Sequence, residues 1–104
     1  IIRTIIEDHK GQIWIGTRGG GVNRFDELTK SFKHYRNDPE NNRSLSHDRV
    51  YKLFEDINQR LWIATDFGLS LYQPNTDDLL DIMIYIINLQ NKIKNNLQMY
   101  LQMY

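Results

Sequence analysis

The chain is 104 residues long, its 13 basic and 13 acidic residues cancel to a net charge of 0, and it contains no cysteine. No overall field recruits nucleic acid or an anionic membrane, and disulfides, thiolate chemistry and thiolate zinc sites are excluded. The length fits one ordinary domain with a marginal core.

In chain order, Ile2, Ile5 and Ile6 lead into the acidic pair Glu7-Asp8 and predict a first strand, A. The turn Asp8-His9-Lys10-Gly11 follows, with Gly11 suited to positive φ. Strand B is predicted from Gln12 to Thr17, with Ile13, Ile15 and Thr17 on one face and Trp14 and Gly16 on the other. Both faces are apolar, so this strand belongs between two other layers. The small residue two places after the tryptophan leaves room for a close neighbour. Gly19-Gly20-Gly21 turns the chain into strand C, Val22 to Phe25, and Ser31 to Arg36 forms a more polar outer strand D. A turn-rich loop from Asn37 to Asn42 then passes through Ser44-Leu45-Ser46.

The pattern then restarts. Val50, Leu53 and Phe54 precede Glu55-Asp56, Arg60 to Thr65 repeats strand B, and Phe67-Gly68 turns into Leu69 to Tyr72. Glu7, Asp8, Trp14, Ile15 and Thr17 return as Glu55, Asp56, Trp62, Ile63 and Thr65, at one offset (62 − 14 = 48). In the second turn, Asn58 is expected to be the left-handed residue. Repeats of this length built from four short antiparallel strands predict blades of a β-propeller. The fold class is all-β, with incomplete four-stranded blades and a tail that can be helical. Residues 1–36 are the first blade, and 49–74 are the second without its outer strand. Trp14, Trp62, Gly20 and Gly68 are the structural residues, and the tryptophans are expected to fill the space between blades.

Residues 75–104 differ in composition: the three methionines lie here, and none of the glycines, prolines or tryptophans does. The repeat is expected to stop where the outer strand is due. The tail is then either a helix or sequence read past a frameshift or truncation. The opening residues do not resemble a signal peptide, no apolar run approaches about 18 residues, and the chain reads as a piece of something longer.

An acidic pair, a turn, Ile13-Trp14-Ile15-Gly16-Thr17, Gly20-Gly21-Val22-Asn23-Arg24-Phe25-Asp26, Phe32, Tyr35, Ser44-Leu45-Ser46 and Val50 together resemble the two-component regulator propeller repeat. The second copy departs at Gln59, Ala64 and Ser70-Leu71. The resemblance implies a periplasmic sensing propeller of a hybrid two-component receptor, with an oligosaccharide or similar ligand and a histidine kinase elsewhere in the parent. Signal would pass by rearrangement of paired propellers. A protein-interaction scaffold and a fragment of a propeller polysaccharide lyase are the alternatives.

Motifs suggesting catalysis have plainer explanations. Asp66-Phe67-Gly68 spells a kinase tripeptide without the other kinase elements, and consecutive Ser46-His47-Asp48 cannot form a triad. His9, His34 and His47 lack metal-ligand spacing, and Asn37 to Asn42 lacks the ligand pattern of a calcium loop. Asn42-Arg43-Ser44 matches the glycosylation acceptor, a short pattern frequent by chance. No enzyme activity, cofactor or metal is predicted. Successive turns of a meander alternate between ends, so the B–C turns share a rim with the long loop, and ligand contact is assigned to Arg18, Asp66, Phe67 and His47. The expected partners are the remaining blades, an oligosaccharide and, for the isolated fragment, other copies of itself through its open apolar faces and edges.

Overall fold

A computed structural model describes residues 1–103. Two four-stranded antiparallel sheets follow one another, each a meander in chain order. The first comprises β1 (Ile2–Glu7), β2 (Ile13–Thr17), β3 (Val22–Asp26) and β4 (Ser31–Tyr35); the second comprises β5 (Val50–Glu55), β6 (Leu61–Thr65), β7 (Gly68–Gln73) and β8 (Asp78–Asp81). The helix α1 (Ile82–Met103) closes the described chain.

The second blade is therefore complete, contrary to the expectation from composition. Asp78-Leu79-Leu80-Asp81 pairs with Gln73 to Ser70. Leu79 is 1% exposed, its N–H donates to Arg43 O, and the Arg43 guanidinium grips Asp78 through two bonds of 2.9 and 2.6 Å. A four-residue edge strand needs only one buried side chain, so the aromatic pattern of Phe32 and Tyr35 is absent and the apolar run merges with the helix that follows. Asp81 supplies the helix N-cap, its Oδ1 accepting from Met83 N (3.0 Å) and Ile84 N (3.4 Å). The helix runs 22 residues, about 33 Å, and leaves Met83, Ile86, Ile93 and Leu97 exposed. Among the described residues, no helix is long and apolar enough to cross a membrane.

The core is the seam between the sheets. Trp14, Val22, Tyr35, Leu53, Leu61, Ile63 and Leu79 are buried there, joined by Val50 and by Leu45 from the long loop. The β2 face carrying Trp14 and Gly16 meets the β6 face carrying Leu61 and Ile63. Gly16 is required by this approach: a Cβ there would stand 2.6 Å from both Thr4 Cγ2 and Val50 Cγ1. The opposite faces are open, with Ile5 on one and Phe54 on the other exposed and Ile13, Ile15 and Trp62 half-buried.

Turn chemistry is set by aspartates. Asp8 Oδ1 accepts from the N–H groups of Lys10 and Gln12, and its Oδ2 accepts from Trp14 Nε1 at 2.8 Å. Asp56 repeats this with Asn58, Arg60 and Trp62 (2.9 Å), and these hydrogen bonds, the one from Trp62 foremost, hold its carboxyl well below the usual range. The left-handed residue of the second turn is Gln59 (φ 64), not Asn58, because it occupies the place of Gly11 (φ 79). In the glycine turn the position that demands glycine is Gly21 rather than Gly20: its φ is 74, and a Cβ would lie 2.3 Å from Tyr35 O. Gly68 also has a positive φ, 134, which L residues rarely adopt.

Candidate functional site

The long loop and the B–C turns do share one rim. Leu45 anchors the loop in the core, and Ser46 N donates to Ser70 Oγ at 3.1 Å while Ser46 Oγ meets Thr65 Oγ1 at 3.1 Å. Ser44-Leu45-Ser46 is thus a buried leucine flanked by hydroxyl anchors. The His47 and Phe67 ring centroids lie 4.9 Å apart with the planes tilted by 49°, and Phe67 is 74% exposed. His47 Nδ1 accepts from Arg49 N (3.0 Å), and Asp66 pairs with Arg49 (3.1 Å) and Arg3 (3.7 Å). Asp66, Phe67 and His47 therefore form one cluster, with Arg3 and Arg49 as additions that the sequence did not single out. Arg18 stands on the first blade's turn, with its N–H donating to Ile1 O. Among the described residues, no hydrogen bond or ion pair joins its side chain to the cluster.

The opposite rim, formed by the A–B and C–D turns, holds a cavity of about 340 Å³ between the blades. Below it a network crosses the seam. Asp77 Oδ1 accepts from Arg24 NH1 (2.9 Å), Tyr35 OH (2.6 Å) and Tyr72 OH (2.7 Å), and its Oδ2 receives Lys33 Nζ at 2.5 Å. Arg24 also donates to Tyr72 OH at 2.8 Å and lies over the Trp14 ring, 5.4 Å from its centroid. Trp14 packs between Tyr35 (5.4 Å) and Tyr72 (4.7 Å, edge-on).

These contacts shift the titrations. Desolvation alone would raise the Asp77 carboxyl, but the four donors outweigh it and hold the group well below the usual carboxylate range. Burial first, and the bond to Asp77 second, push the Tyr72 phenol up to about 12 and move Tyr35 upward as well. Arg24 stays charged because Asp77 and the tyrosines together exceed the desolvation that pulls its pKa down. A second tie crosses the seam at the cavity mouth, where Glu55 Oε2 meets His9 N (3.1 Å) and His9 Nδ1 (2.8 Å). Sequence reasoning missed Arg24, Tyr72, Asp77 and the His9–Glu55 pair; Asp77 lay in the segment taken to be outside the repeat.

With this geometry in view, the comparisons with known proteins are specific. A model of the two component regulator propeller matches residues 1–19 and 44–67. Over these two segments the chain resembles the two component regulator propeller. Histidine kinase P4 of Formosa agariphila is 44% identical over 59 residues, 57% of this chain and 4% of that protein. The extracellular domain of BT4673 from B. thetaiotaomicron, titled a hybrid two component system, is 30% identical with a TM-score of 0.65, over 76% of this chain and 11% of that one. The extracellular domain of BT3049 from the same organism shares the fold at 24% identity and a TM-score of 0.68, over 75% of this chain and 11% of that one. The chain thus spans about a tenth or less of each of these relatives, and it resembles the extracellular domains of hybrid two-component systems.

Proposed function

We propose that this propeller section belongs to the periplasmic, ligand-sensing part of a hybrid two-component receptor and is itself non-catalytic. The carrying observation is the ordered match of both repeats, together with 30% identity to an extracellular domain of a hybrid system. The ligand is an oligosaccharide, contacted at the loop rim by Phe67 and His47 as an aromatic pair, by Asp66 through lone pairs left beside its ion pairs with Arg3 and Arg49, and by Arg18 from the adjacent blade turn. Support comes from loops fixed on a rigid scaffold, an exposed aromatic ring beside ionic groups, and open sheet faces suited to further blades of the same repeat.

Calorimetric titration of the chain with a panel of neutral and acidic oligosaccharides tests this. Saturable binding that weakens about tenfold in Phe67→Ala is expected, the loss of one aromatic platform. Absence of binding across the panel refutes the saccharide ligand, and binding unchanged by Phe67→Ala refutes the loop rim.

A further inference from the structure

We propose that the cavity between the two blades, on the rim opposite the loops, is a second binding site that takes a neutral, polyhydroxylated ring of single-sugar size. This deepens the saccharide reading above by adding a separate contact point on the same two blades.

Size and construction come first. Its volume of about 340 Å³ lies at the small end of the range of about 300–1,000 Å³ occupied by small-molecule sites. Its walls come from both blades: the turn around Asp8 and Gln12 with Arg24 on one side, and Glu55, Gln59 to Leu61, Tyr72, Pro74 and Asp77 on the other. The cavity therefore exists only when the blades are packed, and the His9–Glu55 and Arg24–Asp77 ties hold its width. Among the described residues three non-glycine positions have positive φ, and two of them, Gln59 (φ 64) and Asp77 (φ 53), line this cavity.

The chemistry of the wall selects the ligand. Lys10, Arg24 and Arg60 are balanced by Asp8, Glu55 and Asp77, three cations against three anions, so no net charge favours an ion. Most of these charges are already engaged: Arg24 by Asp77, Arg60 by Asp56, and Asp8 by its turn and Trp14. Groups without a hydrogen bond among the described residues include the Glu55 Oε1 acceptor, the donors Arg24 Nε, which is buried, and the Lys10 amine, and the side-chain amides of Gln12 and Gln59, which both donate and accept. Hydroxyl groups do both as well, so a polyol satisfies this set where a carboxylate or an ammonium satisfies half of it. Leu61, Pro74 and the Tyr72 ring supply apolar surface for the C–H face of a ring.

The test uses the 104-residue chain and a panel of neutral methyl hexosides, with the matching uronic acids alongside, followed by amide NMR shifts. Saturable shifts at Gln12, Glu55 and Gln59 are expected with the neutral sugars. Gln12→Ala and Gln59→Gly should each weaken them about tenfold, one lost hydrogen bond in each case. Gln59→Gly suits the left-handed backbone, so unchanged strand shifts will certify the fold. Shifts confined to His47 and Phe67, or cavity shifts indifferent to both variants, overturn the cavity site and leave the saccharide reading intact. Cavity shifts with uronic acids alone overturn the neutral ring. Silence with every sugar overturns both readings. Cavity shifts with no response at the loop rim uphold the cavity and remove the rim.

Discussion

Trp14 and Trp62 occupy the same place in successive blades and each donates to Oδ2 of the aspartate six residues earlier, at 2.8 and 2.9 Å, yet Trp14 is fully buried and Trp62 is only half covered. The local brace is thus a property of each repeat, written within seven residues, whereas burial is conferred by whichever blade stands alongside. Trp14 has Tyr35, Tyr72 and Arg24 around it; Trp62 has Phe54 stacked at 6.3 Å on its own sheet and, among the described residues, no blade packed against it. Identical secondary structure carries very different energy in the two halves of the molecule.

Substitutions at equivalent positions should expose that difference. Trp14→Ala is expected to lose about 3–5 kcal/mol, the cost of a large aromatic cavity. Trp62→Ala should lose about 1 kcal/mol, since its ring is already partly hydrated. Paired urea denaturation curves measure the gap, and equal losses would mean that the seam contributes little. Gly16→Ala should cost about 1–3 kcal/mol by forcing Thr4 and Val50 apart, whereas Ala64→Gly on the open face should cost about 0.5–1 kcal/mol through chain entropy alone. Thermal melts of the two variants rank them.

Asp77→Asn cuts the charge link across the seam. It should cost about 1–2 kcal/mol, below the figure for a sealed ion pair because the Asp77 side chain is 36% exposed. The smallest and most gradual effect is on pH. The Asp77 carboxyl is lowered on folding, so the stability it contributes is complete above its unfolded value of about 3.9 and disappears as pH falls through the folded value. The raised Tyr72 phenol acts at the other end: its contribution is complete below about 10 and is lost as pH rises toward about 12. Melting temperature against pH should therefore fall on both flanks. The Asp77→Asn variant should show a flatter acid flank; an unchanged one would detach Asp77 from the seam.

The blade pattern was legible because its signals are short-range. Alternation in Ile13 to Thr17, the aspartate six residues before each tryptophan, and the glycine turns all fix structure inside one hairpin. The packing role of Gly16 could also be foreseen, because a strand wedged between layers needs a small residue somewhere. What escaped has no local signature. The bond between Arg24 and Asp77 joins residues 53 apart, and nothing near either one announces it. The outer strand Asp78–Asp81 was hidden because its inward demand is a single leucine and its other support is Arg43, contributed by a distant loop. Gln59 took the left-handed position through alignment with Gly11, overriding the residue preference that favoured Asn58. Of the rim residues, Asp66, Phe67 and His47 followed from topology, while Arg18 belongs to the neighbouring turn and stays apart from them.

The two uncovered sheet faces bear on how such wheels change in evolution. One presents Ile5, Ile13 and Ile15; the other presents Phe54, Trp62 and Leu71, the last two being cross-strand partners. These are the same two kinds of surface that meet inside the seam, so the unit ends as it begins, like a tile with matching opposite edges. An in-frame duplication or deletion of 48 codons would preserve every junction type while altering circumference, giving these arrays a simple genetic route to wheels of different diameter.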